Sequence, residues 1–383
     1  MAAPLKVGFV VPGVYVYFNP AVPWPPGGSE RQAYLLGQAL AERGDTDVHH
    51  AVADFGQPER ELPSLHVQLW RSFRYGDPLP RGLRRLTAVL RAMDADVFVF
   101  RSASAGVAAG MWVASQVCRK PVVYMLAHDD ESQNSRMATW LGWPGTLLMA
   151  AAYRLPHAIC AQSEAQCRAF ESRRGLSVAG VVPNACELLP ASALTPASAR
   201  RTVLWVGRAQ EWKRGDAFIA LAKRFPAVPF VMMCSTSTGA CEARWRDEAA
   251  EAPNLRWYGP VPHADLAAHY AEACLFVNTS RAEGVPNSML EAMAAGCPVL
   301  SAVVDPGGAL AGQGAGRCLG TLDEVALADA CRELLHDVAA LEAMGRAARR
   351  FVETVHAPGV AAEALLKVLR QVCEAKGPSP CVA

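Results

Sequence analysis

The chain has 383 residues, which at roughly 150 residues per domain leads to an expectation of two to three domains. Hydrophobic residues make up 51% and charged residues 19%, which excludes a disordered chain, since such chains lack the apolar surface that offsets the entropy of folding. With 37 basic and 36 acidic side chains the net charge is +1, so no global field holds nucleic acid or an anionic membrane, and any such contact has to be local.

Strand and helix patterns alternate from the start. Leu5–Val11 is a continuous apolar run suited to a strand buried on both faces. A long loop follows, then a helix over Ser29–Arg43 with apolar residues at helical spacing and Gly44 as its stop. Strand Val48–Ala53, helix Leu83–Met93, strand Val97–Phe100, helix Val107–Cys118 and strands Pro121–Leu126, Ala158–Ala161 and Val178–Pro183 complete a first half. Glu187–Arg200, ELLPASALTPASAR, has no helical stripe and reads as an exposed connection. A second series then begins: strand Thr202–Val206, helix Asp216–Arg224, strand Pro229–Cys234, helix Ala243–Ala250 and strand Leu255–Tyr258. It continues with helix Ala264–Ala273, strand Leu275–Asn278, helix Ser288–Ala295 and strand Pro298–Val303. Helices over Leu327–Val355, broken near His336, and Val360–Glu374 close the chain. The alternation predicts an α/β protein with two doubly wound parallel sheets, residues 1–186 and 200–357, and ligands at the carboxyl ends of the strands in a cleft between them.

Twelve cysteines are scattered without a CxxC pair or zinc-like spacing. Several sit in apolar runs, as Cys274 and Cys297 do, where Cys acts as a small hydrophobe. A reduced, cytoplasmic compartment is expected. The first residues, MAAPLKVGFVVP, read as a strand rather than a signal peptide. The most apolar long window, Met137–Leu155, is interrupted by Gly142, Pro144 and Arg154, so it is not expected to span a membrane.

The strongest motif is RAEGVPNSMLEAMAAGCPVLSA, residues 281–302. Its EGVPN loop runs into a helix N-terminus, whose N–H groups and partial positive charge suit a phosphate. Glu283 and Glu291 flank the loop, and as acceptor-only groups they suit the hydroxyls of sugars or ribose. Two ordinary readings compete: Ser288 and Glu291 form a capping box, and Glu283 is a loop carboxylate in water. In VGRAQEWKRGD, residues 206–216, Arg208 and Lys213 follow a strand end, where two cations suit a diphosphate; the alternative is solvated loop charge. Gly27 and Gly28 precede the first long helix, again compatible with an anion. No persuasive nicotinamide fingerprint is present, since GQGAG at 312–316 lacks a preceding strand.

Taken together, GGSE at 27–30, VPNA at 182–185, GRxxxxKRG at 207–215 and EGVPNSMLEAMAAGCPVL at 283–300 resemble the retaining glycosyltransferases of family 4, also called glycosyl transferases group 1, with the GT-B fold of two Rossmann-like domains. The resemblance implies that Arg208 and Lys213 neutralise a donor diphosphate, Glu283 serves the transferred sugar, and Glu291 the ribose. Gly284, Val285 and Asn287 would present backbone N–H groups, Val261 would meet the base, and Gly28 would lie near the phosphates. His128 matches a histidine beside the sugar, although it could be a solvated loop residue. The HDDE run at 128–131 could suggest a metal, but the resemblance implies metal-independent catalysis and no cofactor beyond the nucleotide-sugar substrate. It also implies a final helix, about 358–375, that returns to the first domain.

The acceptor is expected to be a carbohydrate or lipid-linked, in cell-surface polysaccharide or glycolipid synthesis. Tyr15, Tyr17 and Trp24, in the 12–26 loop, are candidate acceptor contacts or parts of a packed lid. Trp140, Trp143, Leu147, Leu148 and Met149 form an apolar patch, read either as core helix or as a peripheral membrane contact. Alternatives to transfer are an epimerase of the same fold and a sugar-nucleotide-binding scaffold without catalysis.

Overall fold

The computed structural model describes residues 3–24, 27–235 and 241–375. The chain divides into two compact units: one runs to Ala185 and takes back the chain from Pro358, and the other is Cys186–Ala357.

The first unit contains β1 (Leu5–Val10), α1 (Tyr15–Phe18), α2 (Gly28–Ala41), β2 (Thr46–Val52), β3 (Arg60–Ser64), β4 (Val67–Arg71), α3 (Leu79–Met93) and β5 (Val97–Arg101). It continues with α4 (Ala105–Trp112), β6 (Val122–Met125), α5 (Asn134–Ala152), β7 (Ala158–Ala161), α6 (Glu164–Arg174) and β8 (Gly180–Val181). The sheet order is β3-β4-β2-β1-β5-β6-β7-β8, parallel except for the antiparallel β3–β4 pair. The central strands are continuous apolar runs because helices cover both faces. Ser104 caps α4 through Val107 N at 3.0 Å, and Ser163 caps α6 through Gln166 N at 3.2 Å. α6 ends on Gly175 at φ 63°, a left-handed cap that glycine adopts without strain.

Several expectations are corrected. The β3–β4 hairpin is absent from the sequence reading; its outer strand is mostly exposed and carries Pro63, so it lacks the alternating pattern of a half-buried strand. Residues 12–18 are short helical turns rather than open loop. α5 is broken at Gly142 (φ 71°, ψ 162°), just before Pro144. Met149 is buried in the core, so it leaves the apolar patch, while Trp140, Trp143, Leu147 and Leu148 stay exposed. No described helix is long and apolar enough to cross a membrane.

The second unit contains β9 (Thr202–Arg208), α7 (Gly215–Lys223), β10 (Phe230–Ser235), α8 (Cys241–Ala250), β11 (Leu255–Tyr258), α9 (His263–Glu272) and β12 (Ala273–Asn278). Then come α10 (Asn287–Ala294), β13 (Val299–Ser301), α11 (Ala309–Gln313), β14 (Gly316–Cys318), α12 (Glu324–His336) and α13 (Val338–Phe351). Its parallel sheet has the order β11-β10-β9-β12-β13-β14. Gly215 opens α7 against the core: a Cβ there would lie 2.6 Å from both Met232 and Trp245, so only glycine lets the helix approach.

The segment Glu187–Arg200 is docked rather than a free connection. Arg349 donates to Leu189 O at 2.9 Å, and the buried Arg200 donates to Ala295 O at 2.8 Å. Pro and Ala leave no periodic stripe, so these two arginine anchors are invisible to a pattern search. The last helix, α14 (Pro358–Ala375), packs on α2 in the first unit, burying Leu365, Leu366 and Leu369 beside Leu36 and Leu40.

Candidate active site

In the second unit the chain leaves β9 for β10 and β11, then returns to the other side of β9 as β12. The topological switch point therefore lies between β9 and β12, and doubly wound sheets bind ligands outside the carboxyl ends of the strands at such a point. Arg208, the last residue of β9, is exposed there. Lys213 ends a single helical turn, Glu211–Lys213, and forms an ion pair with Glu283 from the loop after β12. The two segments are also joined through their backbones. Arg281 N donates to Trp212 O at 2.8 Å, and Thr279 Oγ1 donates to Lys213 O at 2.7 Å while accepting from Trp205 Nε1 at 3.0 Å.

Glu283 is therefore not a carboxylate in water; its side chain is 9% exposed. Burial pushes its carboxyl up, but Lys213, Ser280 and Asn278 outweigh burial and hold it below the ordinary value. Asn278 Nδ2 donates to Glu283 Oε1 at 3.2 Å. Lys213 Nζ also sits 4.5 Å from the centroid of the Trp212 ring, a cation–π contact.

Nor does the capping box form. α10 starts at Asn287 with Pro286 as its N-cap and no side-chain cap bond from that residue, so Ser288 already lies inside the helix. Glu291 instead accepts a hydrogen bond from Tyr270 Oη at 3.0 Å. Tyr270 is buried, and burial together with Glu291 drives its hydroxyl well above its usual value, so it is a dedicated donor. Gly284 and Asn287 are half-buried and Val285 is buried, along the path from Glu283 into α10. Val261, between β11 and α9, packs partly buried on the core beneath α10.

The remaining predicted residues lie in the first unit. Gly28 is the first residue of α2, whose N-cap is Gly27. His128 N-caps a helical turn, Asp129–Ser132: Asp130 N donates to His128 Nδ1 at 3.1 Å, which in the neutral ring puts the proton on Nε2. Glu131 accepts from Tyr124 Oη at 2.6 Å, Tyr153 Oη at 3.0 Å, Ala127 N at 2.8 Å and His128 N at 3.0 Å. Within the HDDE run, His128 and Glu131 thus build a capping box.

The aromatic candidates are packed on their own unit. Tyr15 is buried with its hydroxyl 3.1 Å from Glu61. Tyr17 stacks on Tyr34 at 5.7 Å and donates to Gly27 O at 3.1 Å. Trp24 stacks face to face on Tyr75 at 4.4 Å. Sequence reasoning missed Tyr270, Thr279, Asn278 and Trp212. Asn278, Thr279 and Ser280 were findable as three polar residues ending an apolar strand; Tyr270 carries no local signal.

Comparison with known proteins bears on the family and the fold. Residues 200–337 match the family model described as glycosyl transferases group 1, and residues 26–188 match glycosyltransferase family 4. No curated protein sequence is matched. Among solved structures, sucrose-phosphate synthase from Thermosynechococcus elongatus is similar with a TM-score of 0.78 at 19% identity, over 97% of this chain and 100% of that one. Anabaena Alr3699/HepE, in complex with UDP and glucose, has a TM-score of 0.73 at 15% identity over 96% and 100%. A trehalose 6-phosphate synthase from Burkholderia multivorans has 0.73 at 13% over 98% and 100%. These similarities establish the two-domain GT-B fold. On its sequence motifs and family matches, the chain is a group 1 glycosyltransferase.

Proposed function

We propose that the protein is a retaining glycosyltransferase that moves a sugar from a nucleotide diphosphate-sugar to a carbohydrate or lipid-linked acceptor, in cell-surface polysaccharide or glycolipid synthesis, without a catalytic metal. The observation that carries this reading is the Lys213–Glu283 ion pair at the switch point of the second unit, with Arg208 at the end of β9 and Glu291 in α10, the helix that follows β12. The complexes of Alr3699/HepE with UDP, glucose and UDP-glucose support a nucleotide-sugar donor. Breaking the bond between the anomeric carbon and the leaving phosphate oxygen builds negative charge on the diphosphate. Arg208 and Lys213 stabilise that charge, together with the N-terminus of α10; such preorganised groups are often the largest catalytic contribution. Lys213 exchanges its contact with Glu283 for the diphosphate, and Glu283 then accepts from hydroxyls of the transferred sugar. Glu291, held by Tyr270, accepts from the ribose, and His128 offers its Nε2 proton to the sugar. The acceptor oxygen bonds to the anomeric carbon on the face the phosphate leaves, and its proton passes to the leaving phosphate.

The protein acts in the cytoplasm at the inner face of the membrane in this proposal, with the exposed side chains of α5 as its contact. The donor site is tested by a thermal-shift panel of UDP, GDP, ADP and their sugars on wild type, Arg208→Ala and Glu291→Ala. One nucleotide is expected to stabilise wild type by about 2.7 kcal/mol at roughly 100 times its Kd, and neither variant. If no nucleotide shifts wild type, the transferase reading fails; isomerised free sugar nucleotide would mark an epimerase instead.

A further inference from the structure

The first unit has a switch point of its own. The chain leaves β1 for β2 and β4, then returns on the far side of β1 as β5, so the crevice over the carboxyl ends of β1 and β5 is the ligand position of this sheet. Arg101 is the last residue of β5, with Met125 of β6 opposite it. It is 4% exposed. Its Nη2 donates to Asn184 Oδ1 at 2.7 Å, whereas Nε and Nη1 are buried with no hydrogen-bond partner among the described residues.

The surroundings hold this side chain at the crevice. Gln32 of α2 accepts from Ala185 N at 2.6 Å and donates to Ala185 O at 2.8 Å, so Asn184, and with it the guanidinium, is fastened to the first turns of α2. The N-terminus of that helix adds positive potential over the same crevice. Ser102 follows in a left-handed conformation, φ 71°, a strained state for a residue with a side chain and one that gathers at functional sites.

A buried guanidinium is expensive unless an anion completes it. Burial draws Arg101 down to about 10, with Glu131 foremost among the groups opposing it, so it stays charged at neutral pH. Glu131 and Glu30 act on it through space, but no ion pair to Arg101 exists among the described residues. Glu131 already receives four hydrogen bonds, from two tyrosine hydroxyls and two backbone N–H groups. The arrangement is a retained cation with two unspent donors at the position where this sheet takes ligands.

We propose that the switch-point crevice of the first unit binds an oxyanion carried by the acceptor, a phosphate or carboxylate on a sugar, and that Arg101 selects it. The inference rests on the glycosyltransferase reading and names the acceptor class which that reading leaves open. The test is titration calorimetry of the full chain with glucose, glucose 6-phosphate, glucuronate and inorganic phosphate, in wild type, Arg101→Gln and Arg101→Lys. At least one anionic sugar is expected to bind about tenfold more tightly than glucose, the scale of one charge-assisted contact. Arg101→Gln abolishes that preference and Arg101→Lys keeps part of it, and the better of the two anionic sugars separates phosphate from carboxylate. The nucleotide shift that depends on Arg208 stays intact in both variants. Equal binding of neutral and anionic probes, or a preference that survives Arg101→Gln, overturns the proposal. If Arg101→Gln does not fold, Arg101→Lys decides: an anion preference unchanged from wild type overturns the selecting role. A wild type with no nucleotide shift refutes the transferase reading separately, because the anion preference is read without nucleotide.

Discussion

At the scale of single residues, the Lys213–Glu283 pair has the largest predicted consequence. Lys213→Ala leaves a buried carboxylate without its cation, and breaking a buried pair costs about 3–5 kcal/mol. The double variant Lys213→Ala/Glu283→Gln removes the stranded charge and is expected to recover most of that loss in a denaturant titration. Equal losses in the single and double variants would show that the stranded carboxylate is not what destabilises the single variant. The pH dependence follows from the same carboxylate. Its folded value lies below the ordinary 4.5, so its contribution is complete above that value and disappears as pH falls through the lower folded value. Glu283→Gln should flatten this acid limb of the stability profile. The residue types of the proposed donor site stand out in the sequence, because a carboxylate-rich loop before a helix and two cations after a strand are local patterns. Their pairing does not, since Lys213 and Glu283 are 70 positions apart and only the adjacency of β9 and β12 joins them. The same limit hid Tyr270, which meets Glu291 across two helices.

At the scale of elements, the central strands and the long helices were legible because burial on both faces or on one stripe writes itself into apolar spacing. Elements at the margin escaped: β3 is exposed and α6 is mostly polar. α5 was ambiguous for another reason. Gly142 and Pro144 break its period, so the sequence does not say which side chains face the core. The structure turns Met149 inward and leaves Trp143 and Leu147 each 59% exposed, with Arg136 exposed near the start of the helix. Large apolar side chains beside a cation favour the boundary of an anionic bilayer. Wild type is expected to co-sediment with anionic phospholipid vesicles, and Trp140→Ala/Trp143→Ala to bind roughly tenfold less with its melting temperature unchanged. Equal sedimentation would assign the patch to another role.

At the scale of the whole molecule, the chain order and the structural units do not coincide. α2 is buried nearly all the way round, including Leu35, Leu36, Ala39 and Leu40, and a helix of that kind needs cover on more than its sheet-facing side. α14 supplies it, although more than 300 residues separate the two helices, as the 325-position span of the Arg370–Asp45 ion pair shows. The first unit is therefore incomplete until the last helix is present, whereas the second unit, from Cys186 to Ala357, is continuous. Leu366→Ala, at a fully buried position, is expected to destabilise the first unit by about 2–5 kcal/mol. Ending the chain before Pro358 should have a larger and divided effect. Amide exchange over residues 28–41 and 97–101 would lose its protection, while residues 202–208 and 273–278 would keep theirs. The nucleotide shift that depends on Arg208 should survive in the shortened chain, because Arg208, Lys213, Glu283 and Glu291 all belong to the continuous unit. Uniform loss of protection in both units would instead mean that the molecule folds as one cooperative block, with the stability of the proposed donor site tied to the last helix.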